Sequence, residues 1–519
     1  MAEKSTRRQH DPVVWGVPTM GMLNGRSIHT VPNNAIYDGS NIIVRKGVLR
    51  ERPGMTQSAS TILTGSPLGF FTTPTMATGA FQEDAFQNDA FQVTASIPPT
   101  VLIVATTRKI YVFYGGILND SSGVNTLQAS LGQHSRFTSI LIGTPLILNV
   151  FHVNGIDPLM GYNTDTGVFE VVVGTPTPPI MSDIATIGDS LIGLVPPYQV
   201  RWSNIREPTQ WPELNVKSLS ETRDAVIGIS PIGYNGGTLY KEYSIWNIVI
   251  TGNSGSGYFR FDWKIDIDGP ASSAAIVRGS TADYYMTHGG RVVRWDGSSI
   301  MFPADGVWSY VRDTIDRTYS NRIHGAYDPS NDEYWFWYPV LGDSGAVRGC
   351  VCVIPPRPQE GIVEHIAFRG YMGHSITAAT DTRLDTEKII LGRDAVGVPQ
   401  IASFEGPDDL GTAITGFWQH GLEGLPVGPN AARLEQAESY FQRGASHGNV
   451  DLKIVTSNLL DNDVGTVSAA QTISLASSTK VFDIKGVDSR GRFVGPRYEF
   501  TTPITLRYKG VELRFLDRG

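Results

Sequence analysis

The chain has 519 residues, of which 41% are apolar, 10% aromatic and only 18% charged, and 56 glycines and 31 prolines supply turn formers throughout. Little charge with many turn formers and aromatics marks a β protein and excludes a coiled coil, a disordered chain or a helical bundle as the main architecture. The net charge of −8 excludes a molecule that clamps nucleic acid with its whole surface, although residues 1–55 hold eight Lys/Arg against four Asp/Glu and leave −12 on the remainder.

From the N-terminus, Met1 to Asp11 is polar and charged, unlike a signal peptide. Residues 1–60 are too short and scattered to fold alone, and are expected to complete a module at the other end of the chain. Val101 to Ala105 and Ile110 to Tyr114 then flank a polar turn, a hairpin pattern. Further sets of short strands follow: Ser139 to Val173, Ile184 to Trp202, Val226 to Ile265, Ala274 to Phe302 and Ile323 to Tyr371, with a closing pair at Lys388 to Gly392 and Ile401 to Phe404. A set of about four short strands every 40–50 residues or so is the signature of β-propeller blades, because one four-stranded sheet cannot bury both faces until others stack on it. Counting sets predicts roughly six blades between residues 61 and 425. A series of β-sandwiches fits the same spacing less well.

Two segments break the pattern. Ala80-Phe81-Gln82, Ala85-Phe86-Gln87 and Ala90-Phe91-Gln92 repeat with a period of five, which places the three Phe on one side of neither a helix nor a strand. An insertion at about 72–98 is therefore expected, with Phe81, Phe86 and Phe91 either meeting a partner or lipid surface or packing back on the propeller. Residues 426–519 alternate like half-buried strands and predict a small β-sandwich-like platform module, completed by residues 1–60. Within it, Ala431 to Arg443 has both a helical and a strand reading, and strand is preferred.

Cys350 and Cys352 lie in the strand-like run Cys350-Val351-Cys352-Val353-Ile354. A bridge between such neighbours would be strained, so both are read as core thiols of a chain that folds in a reducing compartment. The longest apolar stretch, Ile140 to Phe151, is broken by Gly143, Thr144, Pro145 and Asn149, so no membrane span is expected.

Motifs that look catalytic lack their partners. Gly188-Asp189-Ser190-Leu191 matches the nucleophile block of GDSL esterases, but none of the ten His has an Asp three positions before it. Gly342-Asp343-Ser344-Gly345 resembles a serine-protease nucleophile loop without an upstream His motif, and a hairpin tip explains it. Asp262, Asp266 and Asp268 lie close enough to suggest a cation, although a solvated acidic turn is the simpler reading. No enzyme activity, cofactor or metal is expected.

Several segments together resemble the tail hub or nozzle proteins of short-tailed bacteriophages, the tail tubular protein B-like hubs that stabilise packaged DNA. They are Pro32-Asn33-Asn34-Ala35-Ile36-Tyr37-Asp38-Gly39 running on to Arg52-Pro53-Gly54; Arg201-Trp202-Ser203-Asn204-Ile205-Arg206-Glu207-Pro208 with Trp211; Ala326-Tyr327-Asp328-Pro329-Ser330-Asn331-Asp332-Glu333 through Tyr338; and Arg490-Gly491-Arg492-Phe493 to Leu513. The resemblance implies a propeller on a platform built from both chain ends, assembled as a homohexameric ring in the virion tail after synthesis in the host cytoplasm. Its implied partners are further copies of the chain, the head-to-tail adaptor protein, a tail fibre or tailspike, and double-stranded DNA passing through the ring without sequence-specific binding. Arg45, Lys46, Arg50 and Arg52 are the candidate docking residues of the platform; Phe81, Phe86 and Phe91 are candidates for a peripheral contact. An acidic lining would let the duplex slide, in keeping with the −12 on residues 56–519. The alternating aromatics Tyr334, Phe336 and Tyr338 against Trp335 and Trp337 predict a strand buried on both faces, or a Trp face at a subunit interface. The alternative function is a receptor- or carbohydrate-binding propeller; less favoured is a propeller glycosidase, which would need two carboxylates about 5–10 Å apart in one pocket.

Overall fold

The computed structural model describes residues 12–59, 61–73, 101–114, 117–142, 147–163, 166–279, 281–382, 388–394, 398–424, 432–441, 448–457, 466–475, 481–485, 490–491 and 493–516. Short apolar strands pair with their sequence neighbours across tight turns, which makes each set an antiparallel meander. Blade 1 consists of Pro67–Thr72, Leu102–Thr106, Ile110–Tyr114 and Ile117–Asp120, and blades 2, 3 and 4 begin at Arg136–Ile142, Asp183–Ile187 and Val226–Ile232. Blade 5 begins at Ile276–Arg278, and blade 6 consists of His324–Asp328, Glu333–Pro339, Val347–Ile354 and Ile366–Tyr371. Blade 7 is made of Ser375–Thr382, Lys388–Asp394 and Gln400–Gly406, and takes its fourth strand, Gly54–Gln57, from the other end of the chain.

The first strand of each blade packs on the first strand of the next, and that of blade 7 packs on that of blade 1. The ring is therefore closed, and the fold is an all-β propeller. The expected count of about six is corrected to seven four-stranded sheets among the described residues. The closing pair at 388–404 is the middle of a full blade. Its leading strand, Ser-Ile-Thr-Ala-Ala-Thr-Asp-Thr, carries few strand-forming apolar residues, and its last strand is distant in sequence.

Every seam between blades has a specific stitch. Phe71 stacks near Phe137 across blades 1 and 2, with ring centroids 5.9 Å apart. The buried carboxylate of Asp183 in blade 3 accepts from Arg136 Nε of blade 2 at 2.9 Å and from the Ile229 amide of blade 4 at 2.8 Å. Asp283 of blade 5 accepts from Ser230 Oγ and Tyr240 Oη of blade 4 at 2.9 and 2.6 Å. Tyr284 stacks on Tyr334 at 3.7 Å across blades 5 and 6, and Trp335 meets Phe404 edge-on at 4.8 Å across blades 6 and 7. Thr72 Oγ1 donates to the Asp381 carbonyl at 3.2 Å and joins blade 1 to blade 7.

The platform is a sandwich of two seven-stranded sheets among the described residues. One contains Val13–Gly16, Ile42–Arg45, Val48–Glu51, Ala432–Phe441 and Tyr508–Leu516; the other contains Ile36–Ser40, Thr415–His420, Asn449–Ser457 and Phe493–Thr501. Between them lie Trp15, Trp418, Tyr498 and Tyr508, all buried, with Trp418 stacked on Tyr498 at 4.6 Å. The module limits expected at residues 60 and 425 shift on both sides. Gly54–Gln57 belongs to the propeller, and Thr415–His420 and Glu423–Gly424 belong to the sandwich. Ala432–Phe441 is a strand, and a register shift between Leu434 and Gln436 puts Leu434 and Ala437 on the same face. That bulge is the source of the helix-like spacing.

The described residues include one α-helix, Asp305–Thr314, between blades 5 and 6. It lies against the N-terminal arm so closely that a Cβ at Gly306 would sit 2.1 Å from the Met22 carbonyl oxygen. Both strand faces of Glu333–Pro339 are buried, so no Trp face is left for a subunit interface. Cys350 and Cys352 are free and buried, and burial pushes the Cys350 thiol up to about 12. No helix among the described residues is long and apolar enough to cross a membrane.

Four buried histidines, His134, His152, His324 and His420, have pKa values pushed down by burial to about 4, 3, 3 and 4. Their imidazoles stay neutral in the folded chain while the unfolded chain takes up protons below about pH 6.5. Their stabilising contribution is therefore complete above that pH and falls as the pH drops towards 4, by about 1.4 kcal/mol per unit for each histidine. Urea midpoints at pH 7.5 and 5.5 check this; an unchanged midpoint contradicts it.

Candidate functional site

The N-terminal hairpin Ile42–Arg45 and Val48–Glu51 turns through Lys46 and Gly47, which both have positive φ, at 52° and 66°. Such a two-residue turn matches the twist of the strands it joins. The hairpin presents Arg45 and Arg50, and the chain continuing from it presents Arg52, towards blades 6 and 7.

Arg52 is 2% exposed. Its Nη1 and Nη2 donate to the Asp409 carboxylate at 3.0 and 2.6 Å, its Nε donates to Asn41 Oδ1 at 2.8 Å, and Nη2 also reaches the Tyr371 carbonyl at 2.8 Å. Asn41 in turn accepts from the Tyr371 amide and donates to the Thr415 carbonyl. Arg45 forms a two-pronged pair with the buried Glu333, Nε to Oε1 at 2.6 Å and Nη2 to Oε2 at 2.7 Å, with Asp328 at 3.5 Å. Burial disfavours the Arg45 charge, but the pull of Glu333 and Asp328 outweighs it and raises the pKa. Arg369 of blade 6 pairs with Asp38 of the platform at 2.6 Å and lies 3.4 Å over the Tyr310 ring of the helix. These contacts fix the platform to blade 6.

Between platform and propeller a groove of about 470 Å³ remains, lined by Arg45, Arg50, Arg507 and Lys388 on its polar side and by Ile389, Phe404, Pro407 and Ile504 on its apolar side. Lys388 pairs with Glu405 at 3.2 Å. Glu51 accepts from the Leu506 amide at 2.9 Å, and burial raises its pKa. Arg50 is half-buried, and burial followed by the neighbouring Arg507 lowers its pKa. Arg507 Nη1 donates to the Leu506 carbonyl.

Arg45, Arg50 and Arg52 thus converge on one groove, whereas Lys46 stands exposed at the hairpin turn. Two of these candidates need correction as free docking residues: Arg52 is buried and Arg45 is held by Glu333, so both ties run within the chain. Phe81, Phe86 and Phe91 lie outside the described residues. Sequence reasoning missed Arg507, because only the pairing of Leu49 with Tyr508 brings it to the hairpin.

A second cleft of about 900 Å³ lies between blades 5 and 6 and residues 23–26. On its wall the Tyr284 hydroxyl and His365 Nε2 share a hydrogen bond of 2.9 Å, and burial pushes His365 down to about 4. The propeller axis itself encloses a cavity of about 190 Å³. The loop before blade 2 reaches across it, placing His134 Nε2 2.9 Å from the Asn321 carbonyl before blade 6.

The motifs discounted as catalytic sit in structural roles. Gly188 turns a hairpin, Ser190 is buried, and Asp189 pairs with Arg206 at 2.8 Å. Asp343 accepts from Tyr371 Oη at a hairpin tip. Asp262 pairs with Arg260, Asp266 accepts from Trp263 Nε1, and no metal-binding cluster occurs among the described residues.

No protein-family model matches the chain, and no curated protein matches it. Among the solved structures that match the chain are two at 10% identity. A crystal structure of BBS1N in complex with ARL6DN, soaked with lead, has a TM-score of 0.38 and covers 69% of this chain and 99% of that one. The same complex soaked with mercury has a TM-score of 0.39 and covers 68% and 97%. At that similarity neither match carries a functional argument.

Arg52→Ala leaves the Asp409 carboxylate buried without its cation and is expected to lower stability by about 3–5 kcal/mol. Arg50→Ala breaks no ion pair and should change it by less than about 1 kcal/mol. Chemical denaturation of the two variants beside the parent chain checks the contrast.

Proposed function

We propose that the chain is a non-enzymatic structural component of the tail of a short-tailed bacteriophage, a hub or nozzle whose six copies form a ring that retains and conducts the genome. The platform would dock the head-to-tail adaptor, and the outer face would carry a fibre or spike. The observation that carries this reading is the pairing of a closed propeller with a sandwich built from both chain ends and joined to it through buried ion pairs. Those are the two parts that the sequence resemblance implies, and together they form the stiff building block that a ring under mechanical load needs.

Two further features support it. The axial cavity of about 190 Å³ is far too small for a duplex, and in this reading the bore lies between copies. The −12 carried by residues 56–519 suits a wall that repels phosphates and lets DNA slide.

A receptor- or saccharide-binding propeller is the second reading. It is favoured by the cleft of about 900 Å³, where Arg26, Arg294 and His365 supply hydrogen-bonding groups.

Native mass spectrometry and negative-stain imaging separate the two. Six copies around a hole of duplex width are expected. A chain that stays monomeric with and without the adaptor, and binds a saccharide in the cleft, would overturn the first reading.

A further inference from the structure

We propose that the groove between platform and propeller is a receptor for a carboxylate on an acidic segment of a docking partner, held between Arg50 and Arg507. The inference deepens the docking role proposed for the platform and rests on that reading for its biological setting.

The other cations lining the groove have anions from this chain. Arg45 has Glu333, Arg52 has Asp409 and Lys388 has Glu405. Among the described residues, neither Arg50 nor Arg507 has a carboxylate within ion-pair distance. Both are half-buried, and burial together with the neighbouring Arg507 disfavours the charge on Arg50. Glu51 is the carboxylate nearest to them in sequence, and it is already engaged by the Leu506 amide. One engaged carboxylate against two guanidinium groups leaves an excess positive charge at this end of the groove. A guanidinium fork binds a carboxylate through two parallel hydrogen bonds, and such charge-assisted bonds are roughly twice as strong as neutral ones.

The lining also chooses between anions. Asp328, Glu405 and Glu51 border the same groove and repel a dense run of phosphates more than a segment that carries single, spaced carboxylates. Ile389, Phe404 and Ile504 form an apolar wall beside the arginines, a surface that suits an apolar neighbour on a peptide and not a sugar-phosphate backbone. The occupant favoured is thus an acidic peptide segment with interspersed apolar residues. Nucleic acid is the outcome that would refute it.

The test uses the full chain and a fluorescein-labelled peptide of alternating Glu and Leu, read by anisotropy. Controls are the same peptide with Gln for Glu, inorganic phosphate and a duplex DNA. Saturable binding of the acidic peptide is expected, at least tenfold tighter than the Gln peptide. Arg50→Ala and Arg507→Ala should each weaken it tenfold or more, Arg50→Lys should weaken it less, and Lys264→Ala, exposed on the outer strand of blade 4, should leave it unchanged. Circular dichroism and thermal melts of each variant confirm folding, which neither arginine supports through an ion pair. The inference fails if the Gln peptide binds equally well, if Arg50→Ala has no effect, if duplex DNA displaces the peptide, or if no saturation occurs below about 1 mM. Copy number measured on the same samples keeps the two readings apart. A chain that binds the peptide and stays monomeric with and without the adaptor upholds the groove and sinks the ring, and a ring that ignores the peptide does the reverse.

Discussion

The buried guanidinium of Arg52 is the contact on which the rest of the molecule depends. Taking a charge out of water is expensive, and it is tolerated only where a partner and hydrogen bonds replace the solvent. Arg52 finds its replacements in different parts of the fold: Asn41 from the platform, the Tyr371 carbonyl from blade 6, and Asp409 from the link that follows blade 7. No subset of these parts can satisfy it. The network therefore forms only when platform and propeller are both in place, and it fixes their relation to within hydrogen-bond tolerance. Arg45 with Glu333 and Arg369 with Asp38 repeat the principle on either side.

Inside the propeller, the polar stitches follow a similar logic on a smaller scale. Asp183 begins the inner strand of blade 3 and Asp283 the second strand of blade 5; both are almost fully buried and accept hydrogen bonds from adjoining blades. A purely apolar seam would allow blades to slide, whereas a buried carboxylate that must be satisfied at a given register does not. Aromatic seams such as Tyr284 on Tyr334 and Trp335 against Phe404 add contact area where the polar stitches are absent. The outcome is a ring in which geometry is set by hydrogen bonds and held by packing.

How much of this was legible depends on where each signal sits along the chain. Val347–Ile354, with its two cysteines, and Glu333–Pro339 read directly as buried strands, because continuous apolar residues within short runs have few other uses. The seventh blade was missed because Ser375–Thr382 is rich in Thr and Ala and because its last strand lies more than three hundred residues upstream. The bulge near Leu434 gives Ala432–Phe441 a helix-like spacing, yet the strand preferred from sequence is the one observed. The helix Asp305–Thr314 went unnoticed among strand sets, being short and packed by its neighbours. For the groove, the basic hairpin was visible as a charge excess, but charge alone does not distinguish Arg52, sealed inside, from Arg50, left facing an opening. That distinction comes from Asp409, Glu333 and Arg507, and no local pattern links those residues to the hairpin.

The strand Gly54–Gln57 has a consequence for how the molecule is made. It is synthesised before every other strand of the propeller, yet its neighbour in the sheet, Gln400–Gly406, is synthesised after all of them. Throughout translation of the intervening wedges its edge stays open, and the toroid cannot latch. Elongation thus acts as the clock for closure, and a chain truncated before that point is left with a free edge at each lip of an open crescent.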